Sequence, residues 1–169
     1  MSNIPEHTTL YNLYNANDKL VGETETTLPS FEQMTNTVSG AGILGEYETA
    51  VAGAFSSAEL EIPFRMFNKE AAELLKSTSM IFLRASVQEV DPQSHKKVNK
   101  SLKVTMSGTC KGVTLGTVGN AKTMDSSIKL EVTYFKYEYD GKVLFELDKL
   151  NGIHKVNGED QMLEINSMI

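Results

Sequence analysis

Residues Gly40-Ala41-Gly42-Ile43-Leu44-Gly45 carry the spacing G-x-G-x-x-G. That spacing cradles a dinucleotide pyrophosphate when the glycines join a buried parallel strand to the N-terminus of a helix. The run before them, Phe31 to Ser39 (FEQMTNTVS), is too polar for a central parallel strand, and Glu46 to Gly53 alternates like a strand with no helical period. The glycines therefore read as a hairpin tip, where they supply backbone angles that other residues resist. His7, His95 and His154 stand far apart, with no i,i+4 pair and no local cysteine or carboxylate pattern, and read as solvated surface residues. Cys110 follows Met106-Ser107-Gly108-Thr109 near a strand end, without a strand-to-helix elbow, and reads as a small hydrophobe. No Gly-x-Ser-x-Gly elbow, P-loop or paired-carboxylate motif occurs. The chain is expected to have no catalytic residues, no metal and no cofactor.

Acidic side chains form the more informative pattern. Glu23 and Glu25, Glu46 and Glu48, and Glu59 and Glu61 are each spaced by two, which puts each pair on one face of a strand. Two readings stand side by side: an ordinary solvated sheet face, or a strip of negative charge lining a concave surface. The 169 residues hold 16 basic and 22 acidic side chains, a formal net charge of −6. That excludes nucleic-acid or anionic-membrane binding through bulk positive charge. No stretch of about 18 apolar residues is present to cross a membrane. The start, MSNIPEHTT, does not read as a secretory leader, and one cysteine fits a reducing compartment.

The elements that position these residues follow a period of two. Leu60, Ile62, Phe64 and Met66 alternate with Glu59, Glu61 and Arg65, and Pro63 marks that strand as an edge strand or a bulged one. Met80 to Val90 and residues 101 to 109 repeat the alternation. In Ser127 to Tyr139 the apolar phase runs through Ile128, Leu130, Val132 and Tyr134, then moves to Phe135, Tyr137 and Tyr139, which predicts a bulge or a face shared by two environments. Asp140-Gly141 followed by Val143, Phe145 and Leu147 predicts a tight hairpin. One helix is expected, Lys69 to Lys76, capped by Asn68. Residues 15 to 19 read as a turn, and Asp91 to Lys100 and Lys111 to Thr123 as loops. The expected fold is mainly β, an antiparallel sandwich or barrel-like domain spanning residues 1–169 as one unit, with one short helix at about 68–76.

An ordered set of segments then carries a resemblance. It runs through Tyr11-Asn12-Leu13-Tyr14-Asn15-Ala16-Asn17, Thr27-Leu28-Pro29, Ser39 to Gly45, Glu59 to Arg65 leading into the helix, Ile81 to Ala85, Val132 to Tyr137, and Glu146 to Gly152. This order resembles the major tail tube proteins of contractile-tailed phages and related phage-tail-like bacteriocins. The resemblance implies a tail-tube domain that forms hexameric rings stacked into a hollow tube inside a sheath. Strands of six subunits would close a continuous barrel around a channel. The loop Thr35, Asn36, Thr37, Val38, Ser39, Gly40, Ala41, Gly42, Ile43, Leu44, Gly45 and Glu46 would be the long hairpin that reaches the next ring. Partners implied are other copies of the chain, the sheath protein, and tape-measure and baseplate proteins, with DNA only as unbound cargo in transit and no membrane insertion by this chain. Assembly would take place in the host bacterial cytoplasm, into a virion tail or a released particle. Glu23, Glu25, Glu46, Glu48, Glu59 and Glu61 are the candidates to face an acidic channel that repels phosphate. An alternative role is the ring-forming tube of a secretion system that carries effectors. A carbohydrate- or peptide-binding sandwich fits less well, because tryptophan is absent.

Overall fold

The alternation read from Ser127 to Tyr139 builds the strand around which the protein is organised. The computed structural model describes residues 3–22, 25–76 and 79–168. In chain order the elements are β1 (Ile4–Asn15), β2 (Leu20–Gly22), β3 (Gln33–Ser39), β4 (Glu46–Phe55), β5 (Glu59–Phe64), α1 (Lys69–Glu73), β6 (Ser79–Val90) and β7 (Lys97–Thr114). They continue with β8 (Ser126–Tyr139), β9 (Lys142–Asp148), β10 (Ile153–Val156), β11 (Glu159–Asp160) and α2 (Leu163–Asn166). One antiparallel sheet follows the order β11-β10-β9-β8-β7-β6-β1-β2, and β3 and β4 form a separate two-stranded sheet.

β8 has β7 along one side and two strands in succession along the other. β5 pairs with residues 126 to 131 and β9 with residues 134 to 139. The expected phase change is a bulge: Gly108 pairs with Val132 and Ser107 with Tyr134, which leaves Thr133 as the extra residue. Before it Ile128, Leu130 and Val132 face the core; after it Phe135 does, with Tyr137 and Tyr139 packed alongside. Gly108 is required here, because a Cβ would lie 2.1 Å from the Glu131 carbonyl oxygen.

The sheet rolls up around the core. Leu13, Val21, Leu60, Ile62, Ile81, Val104, Met106, Ile128 and Leu130 meet in one buried cluster. β5 is short and carries Pro63, yet Leu60, Ile62 and Phe64 are fully or almost fully buried. At roughly 1.5–3 kcal/mol for each buried side chain, packing adds to the ladder with β8 in holding β5 in place. On its free side the isolated bridge Thr27–Glu61 replaces a ladder, which agrees with the edge-strand expectation. β2, at the far end of the sheet, touches β5 without pairing to it, so the roll is barrel-like and open. Asn68 caps α1 by accepting the Ala71 N–H at 2.8 Å, and Ala71 and Leu74 are buried where the helix meets β2.

Several expectations need correction. The loop read as Asp91 to Lys100 is only the turn 91–96, because Lys97 to Lys100 pair with Val87 to Val90. β7 also runs on through Lys111 to Thr114, paired with β8, where a loop was expected. The helix ends at Glu73 rather than Lys76, and α2 is a second, four-residue helix. β1, β10 and β11 carry no simple alternation and appear only in the structure.

Candidate functional site

The β3–β4 hairpin leaves the body through an aromatic anchor. Phe31 packs against Phe135 and Phe145 with ring centres 4.8 and 5.6 Å apart, and Phe55 meets the edge of His154 at 5.0 Å. His154 is therefore half-buried between Phe55 and Phe145, not a solvated surface histidine. The Ser56 N–H donates to the Glu32 carbonyl at 2.9 Å, and Met162 lies against Gly53. Beyond this base the hairpin stands free. Thr35 to Ser39 pair with Glu46 to Ala50, and of the residues from Thr35 to Glu46 only Val38 is even half-buried. Met34, Tyr47 and Val51 are exposed by 54%, 53% and 42%, and Leu44 is fully exposed at the tip. Gly40, Gly42 and Gly45 hold φ values of +151°, +91° and +99°, which turn the chain between two strands, so the glycine fingerprint meets neither parallel strand nor helix.

A second feature is an open edge. β2 pairs only with Leu13 and Tyr14, so among the described residues Ile4 to Leu10 have a ladder on their β6 side alone. Ile4 and Leu10 are 55% and 67% exposed along it. Unpaired strand edges are templates for another chain.

The third feature is the face of the sheet turned away from the core. Lys129 lies 3.1 Å from Glu59 and 3.8 Å from Glu61, and Lys111 lies 3.3 Å from Glu59 and 3.7 Å from Glu131. Further along, Lys136 and Lys103 share Glu138, and Lys155 reaches Glu146 at 3.5 Å. Hydrogen bonding to Lys129, then Lys111, holds the Glu59 carboxyl below its ordinary value. The Glu131 carboxyl is lowered first by the Ser57 hydroxyl, which donates at 2.6 Å. The candidate acids are thus placed in two regions. Glu59 and Glu61 lie on this ion-paired face, with exposed Glu25 lining a groove beside them, whereas Glu46 and Glu48 are on the hairpin. Glu23 lies outside the described residues.

Cys110 is half-buried on β7 and packs against the core. His7 is on β1 and His95 in the β6–β7 turn, and among the described residues no three His, Cys, Asp or Glu side chains are grouped to hold a metal. No helix among them is long and apolar enough to cross a membrane. The surfaces on offer are a projecting hairpin and, among the described residues, an unpaired edge. Residues 5–169 match the family described as Phage tail tube protein FII.

The chain belongs to the phage tail tube protein family. A tail tube protein of Escherichia phage P2 is 37% identical over 62 residues. The aligned stretch covers 37% of this chain and 36% of that relative, about a third of each. Phage tail tube proteins are structural proteins rather than enzymes, and this chain has the mainly β, antiparallel fold described above. Sequence reasoning located the hairpin from its glycines. It missed the β1 edge, because register shifts between Pro5 and His7 and between Thr8 and Leu10 break the alternation that would have revealed the strand.

Proposed function

We propose that the chain assembles as hexameric rings stacked into the hollow inner tube of a contractile tail, with Thr35 to Glu46 reaching the next ring. The observation that carries this reading is the detached hairpin. A two-stranded hairpin is marginal on its own in water, and this one extends Met34, Leu44, Tyr47 and Val51 away from the body that anchors it. A second copy supplies the missing contacts. The open edge of β1 serves the ring, since closure with neighbours removes the edge. The ion-paired face, which includes Glu59 and Glu61, lines the channel. Each lysine there stands beside a glutamate, so passing DNA finds few free cations to release its counterions against and moves through as unbound cargo. Sheath, tape-measure and baseplate proteins are the partners outside, within and below the tube, and assembly takes place in the bacterial cytoplasm.

Electron microscopy of the purified chain tests the reading. Uniform hollow tubes or six-membered rings are expected. Deletion of Gly40 to Gly45 should leave a folded subunit that does not stack. Tubes of ordinary length from that deletion would remove the hairpin from the inter-ring contact, and a chain that stays monomeric at every concentration, even with tube ends added, would overturn the reading.

A further inference from the structure

Charge is divided unevenly between two surfaces. From Gln33 to Phe55 the hairpin contains Glu46 and Glu48 and no lysine or arginine. The segment from Asn157 to Met168, with Glu159, Asp160 and Glu164, also lacks both. The two are joined: Met162 lies against Gly53, and Ala50, Ala52, Asn157 and Glu159 line one cavity. Together they make the flank beside β10 and β11 acidic, while Lys155 on β10 is taken up by Glu146 and Lys149 at the hairpin base by the Ser56 carbonyl.

The β6–β7 turn has the opposite character. His95, Lys96 and Lys97 are consecutive and exposed, and among the described residues neither lysine has an ion-pair partner. The acid in the turn is occupied internally, since the Asp91 carboxylate accepts from the Gln93 N–H at 3.0 Å and the Ser94 hydroxyl at 2.5 Å. Those bonds fix the turn and leave both lysines pointing to solvent. Lys97 pairs with Val90, which pairs with Ile4, so the exposed Ile4 side chain stands in the same cross-strand row. The turn thus offers two free cations beside an apolar residue. The hairpin end offers two free carboxylates beside Leu44.

Resting on the tube reading above, we propose that the hairpin of one copy docks on the β6–β7 turn of a second copy in the adjacent ring, Glu46 and Glu48 facing Lys96 and Lys97 and Leu44 covering Ile4. The contact is heterologous, because different patches of the same chain meet, and so it repeats without limit along an axis. Complementary charge fixes which face the hairpin chooses and speeds encounter at low salt. It also makes stacking sensitive to ionic strength, since the Debye length falls from about 10 Å at 0.1 M salt to about 3 Å at 1 M.

A charge-swap series tests it. The chain is compared with the double variant Lys96→Glu/Lys97→Glu, the double variant Glu46→Lys/Glu48→Lys, and the quadruple variant carrying all four changes. Circular dichroism establishes that each is folded; sedimentation and electron microscopy measure the concentration at which tubes form. Each double variant is expected to raise that concentration at least about tenfold, because like charges then face each other. The quadruple variant is expected to restore tubes. Unaltered tube formation by either double variant, or a quadruple variant as defective as the doubles, overturns the docking while leaving the tube reading intact. Absence of tubes from the unmodified chain overturns both.

Discussion

Gly108→Ala is the substitution whose effect the geometry defines most closely. The added Cβ would lie 2.1 Å from the Glu131 carbonyl oxygen and 2.9 Å from its carbon, where ordinary contact begins at 3.4 Å. Both obstacles are backbone, so one strand has to retreat by more than about 1 Å, and the bulge at Thr133 lies at the same point. A retreat of β8 from β7 drives it towards β5 and distorts the 2.8 Å bond from the Val132 N–H to the Ala58 carbonyl, which ties the start of β5 to the sheet. Overpacking at about 1–3 kcal/mol and one weakened backbone bond at about 1 kcal/mol give a loss of about 2–4 kcal/mol. For a chain of this size, that corresponds to a fall in melting temperature of roughly 5–15 °C. Gly112→Ala in the same strand is the control, because a Cβ there meets nothing within 4 Å. The two variants are melted alongside the unmodified chain at a concentration too low for polymerisation, so that assembly does not add to the apparent stability. Equal melting temperatures for Gly108→Ala and Gly112→Ala would refute the close approach at the bulge.

Two further outcomes concern pH. Glu59 and Glu131 have carboxyl pKa values held below the ordinary 4.5 by hydrogen bonds, so their contribution to stability is present above that value and is lost as pH falls through the lowered ones. The urea midpoint should therefore drop on acidification below about pH 4, and Lys129→Met, which removes a partner of Glu59, should flatten that drop; an unchanged slope would contradict the ion-paired face. Tyr134 and Tyr139 are pushed up to about 12, the first mainly by burial and the second mainly by donating its hydroxyl to Glu89. Their contribution is complete below the ordinary value of 10.0 and is lost as pH rises towards about 12. Ultraviolet titration should show two phenols that ionise only near about 12, reduced to one in Tyr139→Phe.

Legibility in the sequence followed the locality of the cause. The phase change at Tyr134, the Asp140-Gly141 turn, the Asn68 cap and the glycine hairpin tip were all readable, because each depends on neighbours within a few residues. β1 was hidden by its two register shifts, and Lys97 to Lys100 by lysines that suggested a loop before the pairing with Val87 to Val90 was known. The spacing of Glu59 and Glu61 did place both on one face. It could not reveal that Lys129 and Lys111 stand beside them, since those lysines come from strands far along the chain. Nor could it reveal that, among the described residues, β3 and β4 pair only with each other, which is a property of the sheet they leave.

The pairing of β1 with β6 has a consequence in time. Ile4 finds its partner only at Val90, and β5 only at Ser126 to Glu131. At a synthesis rate of about 5–20 residues per second, the Ile4 end of β1 waits roughly 4–17 s for the strand that will hold it. The hairpins β6–β7 and β8–β9 close from adjacent segments, while long-range pairings of this kind place a chain among the slow folders. The segment that remains an open edge in the finished subunit is therefore also the one left longest without a partner during its birth. The interval in which a stray chain can claim it opens on the ribosome, well before any ring is available to close it.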